Sequence, residues 1–221
     1  MSVRSDQQYC ALVRAVEVVG DRWTLLIIRE LALGPKRFAD LAQTLRGVSR
    51  KLLSERLRDL EQEGVVARAQ LPSPTAKEGY LLTGEGADLA RAMVPLAAWG
   101  VRRLGRLSPD EIFRPAWLAL AMTSFVDRQM TAGVHEIYEF HVGDEQFYVH
   151  VADGDITAYD GVPPSNDLLV TTDERTWADI ASGLLTMEDA ISSERLRAEG
   201  RGPAARNCAA LFSREALGLT Q

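Results

Sequence analysis

The sequence predicts an α+β chain in two domains: helices closed by a two-stranded hairpin, then an antiparallel sheet packed with helices. Three observations carry that prediction. The 221 residues exceed the ~100–200 of a usual single domain. Apolar spacing follows the helical i, i+3, i+4 rule in the first half and changes to alternation from Val134. The charge also changes sign: residues 1–106 carry 17 Lys+Arg against 12 Asp+Glu, and residues 107–221 carry 8 against 19. The Gly, Ser and Pro of Gly105 to Asp110 sit at that change, which places the boundary between domains 1–106 and 107–221 there.

The elements follow in order. Tyr9, Leu12, Val13, Val16 and Val19 give one helical stripe, which Gly20 ends. A second helix begins near Trp23 and stops at Gly34-Pro35. Phe38, Leu41 and Leu45 mark a short third helix, and Gly47 a turn before Ser49, which caps a long helix ending at Gly64. Val65 to Ala69 reads as a strand and Tyr80 to Leu82 as its partner, forming a wing. A last helix runs from Thr83 to about Leu104. Beyond the boundary, Ser108-Pro109-Asp110-Glu111 resembles an N-cap followed by Pro at the first helical position. Turns at Gly143-Asp144 and Asp153-Gly154 set Phe140 opposite Phe147, Tyr138 opposite Val149 and Ile156 opposite Val151. Leu168-Leu169-Val170 is read as the fourth strand of a meander. Glu174–Ser182, Met187–Ser192 and Pro203–Phe212 are the helices expected to cover it.

Composition narrows the function classes. With 46% apolar and 25% charged residues the chain is neither disordered nor fibrous. No apolar run reaches the roughly 18 residues of a membrane span, and Met1 to Gln8 is polar, so a cytoplasmic protein with no membrane partner is expected. Cys10 and Cys208 form no disulfide framework. Neither cofactor nor metal is expected, and no nucleophile elbow marks an enzyme. His135, His141 and His150 fall on the predicted sheet, where a polar face with imidazoles is favoured over a metal site. Trp23 and Trp99 read as packing residues.

The long helix after Ser49 carries the chemistry of the first half. Leu53, Leu57 and Leu60 line one face, which leaves Lys51, Ser54, Glu55 and Arg58 on the other. Lys36, Arg37, Arg50, Arg56, Arg68 and Lys77 lie in or beside the same elements. Such side chains neutralise phosphates and read guanine edges, and two helices followed by a wing place one helix in a major groove. Motifs then recur in order: Cys10, Ala15 to Gly20, Arg22 to Leu31, Gly34 to Phe38, Leu53 to Glu61 and Tyr80 to Thr83. Over residues 9–100 they resemble the HxlR-type family of bacterial winged helix-turn-helix transcription regulators. The resemblance implies a homodimer, joined through its first and last helices, on an inverted-repeat double-stranded DNA operator. It places Lys51, Ser54 and Arg58 at bases and Arg37, Arg50, Arg68 and Lys77 nearer phosphates. Family members usually carry Pro after the N-terminal Cys, where this chain has Ala11. Cys10 therefore keeps two readings, a redox or electrophile sensor near a helix N-terminus and a small packed residue.

In the second half, Phe147 to Gly154, Pro163-Pro164, Asp167 to Asp173, Thr176-Trp177 and Gly183 resemble a sterol-carrier-protein-type domain. The resemblance implies an apolar tunnel for a hydrophobic small-molecule effector. Its candidate lining is Phe140, Phe147, Val149, Val151, Ile156, Leu169, Trp177, Ile180 and Leu184. The same pattern fits a solid core. The chain thus reads as a ligand-modulated repressor-type regulator, with a lipid-binding or carrier protein as the competing class.

Overall fold

A computed structural model of the chain describes residues 8–71, 78–101, 103, 107–108, 111–123, 126 and 128–213. They fall into two compact units, Met1–Met93 and Val94–Gln221.

In the first unit the apolar stripes form helices α1 (Ala11–Val19), α2 (Arg22–Ala32), α3 (Phe38–Thr44) and α4 (Arg50–Gln62). The hairpin β1 (Val66–Gln70) and β2 (Glu78–Leu82) and helix α5 (Gly84–Ala92) follow. Polar side chains fix where three of these helices begin. The Asp21 carboxylate accepts from the Trp23 N–H at 2.8 Å, Ser49 Oγ from Leu52 at 3.1 Å and Thr83 Oγ1 from Gly86 at 3.1 Å. Each satisfies a donor that the first helical turn leaves free. Gly47, at φ 93°, makes the left-handed turn between α3 and α4. Ile27, Ile28, Leu31, Leu41, Leu53, Leu57 and Leu60 meet in the interior, with Val65 and Val66 closing it from the start of the hairpin.

The helix expected from Thr83 to Leu104 is two helices. It stops at Ala92, and α6 (Val94–Val101) restarts with Pro95 as its second residue. Proline has no N–H to donate to the Arg91 carbonyl, and its ring crowds that oxygen, so a single helix cannot run through. The units divide at this break. Residues 104–106 and 109–110, within the predicted boundary stretch, lie outside the described residues.

The second unit continues with α7 (Pro115–Thr123). The helix start expected at Ser108 is not observed at residues 111–114, while residues 109–110 lie outside the described residues. The Glu111 N–H donates to the Ser108 carbonyl at 3.0 Å and the Glu111 carboxylate accepts from the Ser108 N–H at 2.8 Å. Residues 111–114 are not helical, and the helix begins at Pro115. After a single helical turn at Arg128–Thr131 come β3 (His135–Val142), β4 (Glu145–Ala152), β5 (Asp155–Asp160) and β6 (Leu168–Thr172). Helices α8 (Glu174–Ala181) and α9 (Met187–Ser192), strand β7 (Leu196–Gly200) and α10 (Gly202–Leu211) complete it.

The predicted register is the observed one: Phe140 pairs with Phe147, Tyr138 with Val149 and Val151 with Ile156. The meander is corrected. Strand order is β5-β4-β3-β6-β7, with β6 parallel to β3 and every other pair antiparallel. Physical reasons are visible in composition. Strand β5 begins and ends on Asp, which suits an edge, whereas Leu168-Leu169-Val170 is apolar on both faces and suits an interior position. Strand β7 has no counterpart in the sequence reading. Arg197 and Glu199 alternate outward on it, so only Leu196 and Ala198 carry an inward signal.

At the N-terminus of α5, Gly86 packs so closely that a Cβ there would lie 2.1 Å from the Val65 carbonyl oxygen. Helix propensity favours Ala over Gly by about 1 kcal/mol. Here the contact reverses the sign, because backbone must move. Gly86→Ala is expected to destabilise the first unit by about 1–3 kcal/mol in urea unfolding, against the gain that propensity alone predicts.

Candidate nucleic-acid interface

Helix α4 is positioned by what it buries. Leu53, Leu57 and Leu60 are at most 2% exposed, so the opposite face, with Arg50, Lys51, Ser54 and Arg58, is left in solvent. Lys51 lies 3.9 Å from Glu55, and its side chain is 87% exposed. Arg56 is used differently. It lies half-buried between the two faces, 3.6 Å from Asp21 and 3.2 Å from Asp59, so it ties α4 to the N-cap of α2. Ser49, exposed, spends its hydroxyl on the cap of α4.

The other sequence-predicted cations are spread around that helix. Arg37, half-buried, precedes α3, and its backbone N–H donates to the Asp40 carboxylate at 3.1 Å. Lys36 is buried at 8% exposure, where its backbone exchanges hydrogen bonds with Tyr80 at 2.8 and 2.9 Å and joins the segment before α3 to the wing. Arg68 sits on β1 in a cage: its guanidinium donates to both oxygens of Glu61, at 2.8 and 3.4 Å, and to Glu78 at 3.4 Å. The hydrogen bond to Glu61, then the neighbouring Tyr80 and Glu61, hold the Arg68 pKa well above its ordinary value. Burial raises the pKa of Tyr80, whose ring centroid lies 5.4 Å from that guanidinium. Lys77 lies outside the described residues. Arg46, exposed in the turn between α3 and α4, is a cation absent from the sequence reading. A basic residue inside the tight turn was the available signal.

The two cysteines differ sharply. Cys10 is exposed at the N-cap of α1, whereas Cys208 is buried beside Ala204 and Leu211, and burial pushes its thiol pKa up. Exposed apolar side chains run from Tyr9 into α1, with Tyr9, Leu12 and Val16 at 106, 70 and 48%. On α6, Leu96 and Trp99 are likewise exposed, and the Arg103 guanidinium lies 3.4 Å from the Trp99 ring centroid. The packing role read for Trp23 holds, but Trp99 is a surface residue of this chain.

In the second unit, the candidate lining does not all converge. Phe140, Phe147, Val149, Val151, Trp177 and Ile180 are buried between sheet and helices. Phe140 and Phe147 stack at 4.9 Å, Trp177 lies 5.2 and 5.6 Å from them, and Phe212 meets Phe140 and Trp177 edge-on at 5.7 and 5.9 Å. The Trp177 indole N–H donates to the Pro115 carbonyl at 3.1 Å, which satisfies its one polar atom. Ile156 shares this inner face opposite Val151. Leu169 is on the other face, opposite Glu139 and Glu199, and Leu184 is 62% exposed after α8. One polar cluster interrupts the inner face. The Tyr138 hydroxyl donates to Glu136 at 2.5 Å, Asn207 donates to the same carboxylate at 3.2 Å, and burial pushes the Tyr138 pKa up. On the outer face Glu139 accepts from Asn166 at 2.5 Å and meets His141 at 2.7 Å, while His135 and His150 are exposed.

Comparison with known proteins gives each half of the chain its own match. Residues 18–108 match the HxlR-like helix-turn-helix family model, and residues 118–213 match the SCP-2 sterol transfer family. The uncharacterized HTH-type transcriptional regulator Rv3095 of Mycobacterium tuberculosis is 46% identical over 93 residues, 42% of this chain and 58% of that protein. The match thus spans little more than half of that relative. The HTH-type transcriptional regulator YodB of Bacillus subtilis is 41% identical over 85 residues, 38% of this chain and 76% of its own length. The solved reduced form of YodB aligns with 35% identity and a TM-score of 0.38, covering 46% of this chain and all of that one. By its first unit the chain belongs to the HxlR-like helix-turn-helix family.

Proposed function

We propose that the chain is a homodimeric transcription regulator that binds an inverted-repeat DNA operator and is modulated by a hydrophobic small molecule held in its second unit. The observation that carries the DNA reading is α4. A helix that buries a leucine stripe presents Arg50, Lys51, Ser54 and Arg58 outward as one exposed polar and basic face, beside a wing. That is the geometry a recognition helix needs to enter a major groove while neighbouring cations meet phosphates. Lys51 and Arg58 are the base readers, and Arg37 and Arg50 stand nearer the backbone.

Dimerisation rests on exposed apolar area. Tyr9 just before α1, Leu12 and Val16 on it, and Leu96 and Trp99 on α6 are the kind of surface that a second copy buries. The effector reading rests on the sterol-transfer match and on the aromatic face of the sheet. A ligand lying on that face must part Phe212 from Phe140 and Trp177, so binding and packing compete for the same rings. Cys10 has the exposure that a sensing thiol needs, and Cys208 does not. Thiol sensing is therefore confined to the start of α1.

Three outcomes are expected. In titrations of the DNA fragment upstream of the encoding gene, Lys51→Ala or Arg58→Ala should each weaken binding by about 1–3 kcal/mol. Binding should also fall steeply with salt, and unchanged affinity in both variants would remove α4 from the groove. Light scattering at micromolar protein should give a dimer, and Leu12→Glu with Val16→Glu should give a monomer; a monomeric parent chain would sink the two-half-site operator. Calorimetry of the full chain with a fatty-acyl and polycyclic panel should detect a ligand that changes operator affinity by roughly 5- to 150-fold. No heat across the panel would leave the second unit a structural one.

A further inference from the structure

The wing cation Arg68 does not have the surroundings of a phosphate contact. Its guanidinium forks onto Glu61 at the C-terminal end of α4, through Nε at 2.8 Å and Nη2 at 3.4 Å, and reaches Glu78 on β2 through Nη1 at 3.4 Å. One positive charge thus faces two carboxylates, and the cluster carries the sign that repels DNA. The donors of a planar guanidinium are fixed in direction, so a forked contact orients as well as binds. These contacts join three elements: the end of the outward-facing helix, strand β1 and strand β2. The wing is also held by apolar packing, through Val66 of β1 and Leu82 of β2 on the leucine core, and by the Lys36–Tyr80 backbone pair. That pair holds β2 to the segment before α3, on the far side of the hairpin from β1.

We propose that Arg68 is a positioning residue: by binding Glu61 and Glu78 together it sets the angle of the wing against α4, so that helix and wing meet one DNA surface in a fixed relation. The inference rests on the DNA-binding reading above and refines it, because it takes Arg68 out of the phosphate-contacting set. Glu61 and Glu78 then act as the other half of the same clamp, although as acidic residues beside DNA they would be expected only to hinder. Two results separate a clamp from a contact. Removing a phosphate contact lowers the salt dependence of binding, whereas loosening a clamp leaves the number of neutralised phosphates unchanged. Removing Glu61 relieves repulsion if Arg68 touches DNA, and loosens the wing if Arg68 is a clamp.

The experiment compares the full chain with Arg68→Ala, Arg68→Lys, Glu61→Gln and the Arg68→Ala/Glu61→Gln double variant, all checked for an unchanged thermal midpoint. Hydrogen exchange in the free protein reads the clamp without DNA. Faster exchange at Glu78–Leu82 in Arg68→Ala and in Glu61→Gln is expected, and unchanged exchange overturns the proposal. Titration of the upstream DNA fragment over a salt series reads its consequence. The expected result is a loss of roughly tenfold in both single variants, no further loss in the double variant and an unchanged salt slope. Arg68→Lys, which keeps the charge and loses the fork, should resemble Arg68→Ala. A slope lowered by roughly 1 in Arg68→Ala, with tighter binding by Glu61→Gln, overturns the proposal in favour of a phosphate contact. Failure of the parent chain to bind any of the DNA would instead count against the regulator reading, while the exchange result would still decide the clamp.

Discussion

The structure of the first unit depends on one constraint: a helix of 3.6 residues per turn cannot bury a stripe without exposing the opposite one. Leu53, Leu57 and Leu60 of α4 must face Ile27, Ile28 and Leu31 of α2, because together they form most of the interior. Each fully buried side chain of this size contributes roughly 1.5–3 kcal/mol, far more than the exposed charges across the helix can return by rotating inward. Lys51, Ser54 and Arg58 therefore stand in solvent as a consequence of packing, and selection is free to vary them without disturbing the core. Arg56 and Asp21 add an angular constraint, since they join α4 to the cap that begins α2. The interface is thus held from behind.

The wing is attached to this scaffold by Val66 and Leu82, which pack on the leucine core, and by polar contacts of a different kind. Backbone pairing fixes Tyr80 to Lys36, and ionic contacts fix Arg68 to Glu61 and Glu78. An exposed ion pair contributes only roughly 0–1 kcal/mol, so these contacts do little for the stability of the unit. Their value is directional. A forked guanidinium holds an angle that an apolar contact would let slide, which suits a hairpin whose work depends on where it points more than on how tightly it is held.

How far the sequence was legible follows from which forces act locally. Caps, turn glycines and the leucine stripe are local, and Ser49, Gly47 and α4 stand where the sequence places them. Strand register within the β3–β4 and β4–β5 hairpins is equally local, since two-residue turns fix which residues face each other. The errors lie where a distant partner decides. The seven residues between β5 and β6 include two prolines and give no sign of which strand β6 joins, and only its apolar character on both faces hints at an interior position. Leu169 stands in the lining that the sterol-carrier resemblance implies, yet alternation along β6 turns it away from Leu168 and Val170. The break at Pro95 was readable, because a proline in a continuous stripe removes a hydrogen bond wherever it falls. Charge and resemblance place Arg68 near phosphates, and its two carboxylates, seven residues before it and ten after, become its partners only once the hairpin folds.

The contrast in charge between the halves bears on how the second unit can influence the first. Screening weakens Coulomb interactions between exposed charges beyond about 8 Å at physiological salt, so the acidic charge of residues 107–221 acts only over a short range. An apolar effector adds no charge and cannot alter that field. Its influence has to come through geometry: a ligand that inserts beside Phe140 and Trp177 must displace Phe212, the residue that follows α10, and only a ligand with unequal affinity for two arrangements of the chain can shift their populations. Regulation on these terms asks for a second unit whose interior is well packed without ligand and still open to rearrangement. Rings in mutual contact, each pair contributing about 0.5–1.5 kcal/mol beyond the area it buries, meet that requirement. They are strong enough together to define one state and weak enough singly to be exchanged for contacts with a ligand.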